Sequence, residues 1–126
     1  MSWIYKQSTG ELLDPTGQHI ANGYAGGNCG ENPEGVNNHM LQAMKSVGPL
    51  PVGKYTLGEV VAESHLGPYA IPLIPHADNQ MFGRSGFYMH GDNSKMDRSA
   101  SEGCIIMPRI VRVRVYGSDD RTVEVI

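Results

Sequence analysis

One histidine and one cysteine stand fourteen positions apart in this chain, each beside a glycine: Phe87-Tyr88-Met89-His90-Gly91-Asp92-Asn93, then Ser101-Glu102-Gly103-Cys104-Ile105. A thiol attacks carbonyls only as its thiolate, so a nucleophilic cysteine needs a base or a cation as neighbour. Apolar residues precede His90 and follow Cys104, so two strands can carry the pair while the polar loop between them folds them face to face. The chemistry this implies is acyl transfer or hydrolysis at sulfur. Gly91 leaves backbone room for a substrate. Gly103, directly before the thiol, lets successive backbone N–H groups converge on an oxyanion. The opposing reading is a buried structural cysteine and a turn histidine. On these residues alone, both stand.

The elements that must position the pair are short. Trp3 to Gln7 reads as a strand, Ser8-Thr9-Gly10 as a turn and Glu11 to Leu13 as its return. Asp14-Pro15-Thr16-Gly17 is a second turn before a strand from Gln18 to Ala21. Gly23 to Val36 reads as loop. Asn37 to Ser46 has apolar positions at Met40, Leu41 and Met44, with an asparagine cap, and predicts a short helix. Strands are expected at Lys54 to Val60, Tyr69 to Ile74, Phe87 to His90, Cys104 to Met107 and Thr122 to Ile126. Ile110 to Tyr116 alternates valine and arginine as a strand does, yet Pro108 suits the first turn of a helix equally. With 16 glycines and 8 prolines in 126 residues, the expectation is a mainly β, antiparallel sandwich with one or two short helices. Residues 1–126 are expected to form a single domain.

Composition narrows the function classes. A net charge of -3 with no lysine/arginine cluster argues against nucleic acid as a partner. No apolar run approaches the roughly 18 residues of a membrane span, so no membrane insertion is expected. Met1-Ser2-Trp3-Ile4-Tyr5-Lys6 lacks the basic and apolar regions of a secretory signal. Two cysteines with these flanks give no metal-ligand spacing, and neither a metal nor another cofactor is expected. Cys29, in Gly26-Gly27-Asn28-Cys29-Gly30, reads as a loop thiol without a role; a Cys29–Cys104 disulfide would consume the proposed nucleophile. His19, His39, His65 and His76 read as surface residues.

The chain resembles the L,D-transpeptidase (YkuD-type) catalytic fold, whose pattern is His-Gly, a spacer of about this length, then Ser/Thr-x-Gly-Cys. It is more similar still to small type VI secretion effectors of L,D-transpeptidase type. The matching segments are Trp3-Ile4-Tyr5 with Ser8-Thr9-Gly10, Gly23-Tyr24-Ala25-Gly26, Gly48-Pro49-Leu50-Pro51-Val52-Gly53-Lys54-Tyr55, Gly83 to Asn93 and Ser99 to Ile106. They run in order along almost the whole chain. Glu102 stands where many members carry histidine. The arginine or asparagine that often follows the cysteine is absent, and Arg109 is not its equivalent.

The resemblance implies a peptidoglycan stem peptide as acyl donor. Cys104 would attack the carbonyl of the third residue, meso-diaminopimelate, and expel the terminal D-alanine. The resulting thioester would pass to an amine or to water. His90 would act as base and then acid, with Gly103 and Cys104 N–H groups as oxyanion donors and Ser101 orienting His90 or capping the loop. Arg84 is the candidate for a substrate carboxylate. Gly91, Asp92, Tyr24 and Tyr69 are candidate groove residues, Asp92 with Asn93 also suiting a turn and the tyrosines also suiting the core. The implied setting is secretion without a signal into a target periplasm, with an immunity protein as a further partner. A phage or bacterial wall-lysis endopeptidase and a non-catalytic wall-binding module are the rival readings.

Overall fold

The computed structural model describes residues 1–61 and 67–126, so the expectation for His65 lies outside the described residues. Among the described residues, nine strands are joined edge to edge: β1 Trp3–Tyr5, β2 Glu11–Leu13, β3 His19–Asn22, β4 Tyr24–Ala25, β5 Gly53–Leu57, β6 Ile71–Pro75, β7 Tyr88–His90, β8 Ile105–Ile106 and β9 Thr122–Val125. Their order across the sheet is β3-β2-β1-β9-β5-β6-β7-β8-β4. Pairing is antiparallel except for β1 with β9 and β7 with β8, which run parallel. The chain is mainly β, as expected.

Alternation explains which residues turn inward. Trp3 and Tyr5 of β1, Tyr55 and Leu57 of β5, Ile71 and Leu73 of β6, and Val123 and Val125 of β9 are buried, while the residues between them are more exposed. This is the two-residue period of a sheet with one face in a core. Met89 and Ile105 join the same cluster from β7 and β8. Each such aliphatic side chain contributes about 1.5–3 kcal/mol by leaving water. The strands that carry His90 and Cys104 are thus tied to the core through their other face.

Gly23 to Val36, read as loop, contains the short strand β4. Of the two readings open for Ile110 to Tyr116, the helix forms: α1 spans Arg109–Gly117, with Pro108 at its N-cap. Val111 and Val115, one helical turn apart, are buried, whereas Ile110 and Val113 are exposed. The valine–arginine alternation carried both periods, and tertiary packing selected the helical one. Asn37 to Ser46, expected as a short helix, is not a continuous one. Only His39–Leu41 forms a 3-10 turn, capped by Asn38, whose side chain accepts from the Met40 N–H at 3.0 Å. Met40 and Met44 remain exposed, so no apolar face was available to dock a helix.

Candidate active site

His90 ends β7, and Cys104 immediately precedes β8. Register pairs Met89 with Ile105 and His90 with Ile106, so Tyr88 falls opposite Cys104. Residues paired across strands share a face. Met89 and Ile105 enter the core, and Cys104 and His90 emerge together on the opposite face. Both line one cleft of about 800 Å³. The sequence expectation that the two strands bring this pair to one surface agrees with this arrangement.

The histidine ring has a defined polarity. His90 Nδ1 lies 2.9 Å from the Gly91 carbonyl oxygen. A carbonyl only accepts, so Nδ1 carries the proton and Nε2 is the nitrogen with a lone pair in the neutral ring. Gly91 serves two purposes here, since a Cβ on it would stand 2.9 Å from Arg112 Nη2.

The sulfur is half-buried. The Tyr88 N–H donates to Sγ at 3.3 Å, and the thiol reaches the Gly86 carbonyl at 4.0 Å. Burial pushes the Cys104 thiol up to about 11; the Tyr88 N–H pulls it down, the Glu102 carboxylate pushes it up and Arg84 pulls it down. At neutral pH the sulfur of the free protein therefore rests as a thiol. Among the described residues, no group of three or more His, Cys, Asp or Glu side chains is placed to hold a metal ion.

A family model, the Tlde1 domain, matches residues 22–126. The chain belongs to the Tlde1 domain family. Tlde1 domains are L,D-transpeptidase-like type VI effectors. No curated protein matches the chain. Among solved structures, the Ldtfm–avibactam carbamoyl enzyme is 14% identical with a TM-score of 0.53, over 99% of this chain and 48% of its own. The helical cell shape determining protein Pgp2 (K307A mutant) from Campylobacter jejuni is 15% identical with a TM-score of 0.55, over 98% of this chain and 45% of its own. This Tlde1 chain spans about half the length of either structure, and the likeness is one of fold.

Within the Tlde1 domain, several candidate residues occupy places other than those expected. Arg84 is 7% exposed and does line the cleft, but its donors already have partners. Nη1 donates to the Gln42 and Pro49 carbonyls at 2.6 and 2.9 Å, and Nη2 to those of Gly48 and Glu102 at 3.0 and 3.2 Å. Its guanidinium also stacks on Phe87, 5.1 Å from the ring centre. Arg84 staples the cleft wall rather than offering a free fork for a carboxylate.

Ser101 is fully buried and clamps the turn before the thiol. Its hydroxyl donates to the Cys104 carbonyl at 2.7 Å and accepts from the Gly26 and Gly103 N–H groups at 2.9 and 3.0 Å. It orients the backbone of Cys104, not the His90 ring. The same bond occupies the Gly103 N–H that was expected to meet an oxyanion. Gly103 has φ +140°, and a Cβ there would lie 2.7 Å from Arg84 Nη2 and 2.8 Å from the Phe87 ring. Glycine is required by both space and backbone.

Asp92 lines the cleft and holds the loop, accepting from the Tyr24 hydroxyl at 2.8 Å and the Asn93 N–H at 2.9 Å. Tyr24 is buried and also accepts from the Ala100 N–H at 3.1 Å, so it braces the loop from behind. Tyr69 packs away from the cleft, edge-on to Tyr116 at 6.1 Å and under Arg109 at 5.7 Å. Of the two roles open to Tyr69, groove and packing, it takes packing, against residues of α1. Sequence reasoning passed over Lys45 as a cleft residue, and treated Glu102 only as a departure from the family pattern; both line the cleft.

Proposed function

We propose that this chain, acting as one unit over residues 1–126, is a peptidoglycan-acting cysteine enzyme whose nucleophile is Cys104 and whose base is His90. The observation that carries the reading is the emergence of both side chains on one face of a parallel strand pair, in one cleft of a Tlde1 domain. The substrate is the stem tetrapeptide, with attack at the carbonyl of the third residue, meso-diaminopimelate.

Because the sulfur rests as a thiol, the proton passes to His90 Nε2 as the S–C bond forms. The Gly91 carbonyl, accepting from Nδ1, orients the ring and sets its tautomer, so that Nε2 is the nitrogen that receives the proton. With the Gly103 N–H engaged by Ser101, the N–H of Cys104 itself is the backbone donor for the oxyanion. Collapse of the tetrahedral species breaks the peptide C–N bond. His90 returns the proton to the leaving amine of D-alanine, and Cys104 is left as a thioester. Water then gives a tripeptide, the carboxypeptidase outcome. A D-amino acid amine gives exchange, the transpeptidase outcome. Ldtfm forms a carbamoyl enzyme with avibactam, which supports covalent acyl chemistry on a fold of this kind. Membership of an effector family supports secretion and action on a target cell's wall; among the described residues no helix is long and apolar enough to cross a membrane.

Digestion of purified muropeptides followed by mass spectrometry tests this directly. Loss of D-alanine, or its replacement by a supplied D-amino acid, is expected. Cleavage of the glycan strand with intact stems would overturn the reading.

A further inference from the structure

Among its described lining residues, the cleft presents one cation and one anion without ionic partners. Lys45 and Glu102 both line it beside Cys104 and His90, and both are exposed. The ion pairs among the described residues are Lys6 with Glu11 and Arg114 with Asp14, so neither Lys45 nor Glu102 is in one. The other charged side chains of the cleft are engaged: Arg84 with four carbonyls, Asp92 with Tyr24 and Asn93. Glu102 is also held in place. Its carbonyl accepts from Arg84, its neighbours are clamped through Ser101, and Cys104 follows two residues later. The backbone that carries the carboxylate is therefore fixed close to the reacting sulfur; the carboxylate itself lies 3.8 Å from the Cys29 sulfur and near enough to Cys104 for that thiol to feel it.

A neutral ligand would leave both charges unanswered, and a simple anion or cation would leave one. We propose that Lys45 and Glu102 form a subsite for an α-amino-acid zwitterion, Glu102 taking its ammonium and Lys45 its carboxylate. This rests on the stem-peptide reading above and specifies what the cleft selects. Two sources present that chemistry: the side-chain end of meso-diaminopimelate in the donor, and a free D-amino acid as acceptor. Opposite charges at set positions discriminate by repulsion as well as attraction, since a ligand bound the wrong way round meets like charge at both ends.

The test is calorimetric binding to Cys104→Ala protein, which binds without turnover. Three probes are used: a diaminopimelate tetrapeptide, the lysine tetrapeptide that lacks the side-chain carboxylate, and D-methionine. Added Lys45→Gln is expected to weaken the diaminopimelate peptide about three- to tenfold and to spare the lysine peptide, while Glu102→Gln weakens both by a similar factor. D-methionine responding to both substitutions assigns the subsite to the acceptor. A response of the peptides with none from D-methionine assigns it to the donor. The exchanged pair, Lys45→Glu with Glu102→Lys, should recover part of the lost affinity. Unchanged affinity in every variant, or no binding of either zwitterionic probe, overturns the subsite. Trimming by the unsubstituted protein is scored alongside. Trimming with unchanged variant affinities loses the subsite and keeps the thiol chemistry; charge-dependent binding without trimming does the reverse.

Discussion

Two thiols open onto the same cleft; both are pushed up, and their neighbours differ. Cys104 has a backbone N–H donating to its sulfur and the Arg84 guanidinium behind it, both of which favour a thiolate, but burial and the Glu102 carboxylate outweigh them. Cys29 is exposed, with its sulfur 3.8 Å from a Glu102 carboxylate oxygen. Its thiol is pushed up first by burial and then by Glu102 and Glu31, with nothing pulling it down. Both thiols are held up, so what sorts two cysteines of equal intrinsic chemistry is which of them shares a strand pair with a histidine. Reactivity belongs to the setting more than to the residue type.

The largest expected effect removes the favoured sulfur. Cys104→Ala and Cys104→Ser should each lower turnover of tetrapeptide muropeptides by more than about 10³-fold, serine being a far weaker nucleophile at neutral pH. Melting temperature should stay nearly unchanged, because the side chain faces a cleft. Unfolding of the serine variant, or full activity in it, would make the thiol structural and dissolve the contrast. His90→Ala comes next, with a loss of about 10²–10⁴-fold, the usual worth of a positioned base. It should also slow alkylation of Cys104 by iodoacetamide while leaving Cys29 alkylation as it was.

Arg84 sharpens the comparison from behind. If it serves as a staple, Arg84→Lys cannot span four carbonyls with three donors on one nitrogen. The variant should lose about 2–4 kcal/mol in denaturant unfolding, the scale expected for buried acceptors left unpaired. A variant of ordinary stability with only a raised KM would restore the substrate-carboxylate role that the sequence suggested.

The difference between those two roles shows what the sequence could and could not reveal. His90 and Cys104 were legible because spacing, glycines and flanking apolar residues are local signals, and β7 and β8 turn them to one face by simple alternation. The inward residues of β1, β5, β6 and β9 were legible for the same reason. Arg84 was not, because its partners lie at Gln42, Gly48, Pro49 and Glu102, far apart in the chain. Tyr69 was left open between groove and core because its partners Arg109 and Tyr116 lie on α1, whose Val111-Arg112-Val113-Arg114-Val115 fits two periods at once. Ser101 looked like a partner for His90 because it stands near Cys104 in sequence, yet it turns toward Gly26 on the other side of the loop.

A smaller effect is read against pH. The folded state holds Cys104 above its ordinary 9.0, at about 11, so the neutral thiol is the form that folding favours. The associated stability is present below pH 9 and is lost as pH rises through 11. Alkylation of Cys104 in the free protein should accordingly climb through that window instead of levelling off near neutrality. Glu102→Gln should move the climb to lower pH, since the carboxylate is one of the groups holding the thiol up. A plateau below pH 8 in the unsubstituted protein would mean a standing thiolate, and the proton transfer would then precede substrate binding.

The smallest expected effect is at the other thiol. Cys29 has φ +53°, a conformation that cysteine and serine adopt at similar cost, so Cys29→Ser adds no new backbone strain. The Cys29 N–H donates to the Ser101 carbonyl at 3.0 Å, and this bond survives the substitution because it belongs to the main chain. What changes is a long contact between sulfur and Glu102, which a hydroxyl can replace. Stability should therefore move by no more than about 0.5 kcal/mol, and turnover should stay within about twofold. The comparison is decided by running this variant beside Cys104→Ser on the same muropeptides. If Cys29→Ser alone removes activity while Cys104→Ser keeps it, the favourable dipoles around Cys104 serve packing, and the nucleophile is the exposed thiol beside the carboxylates.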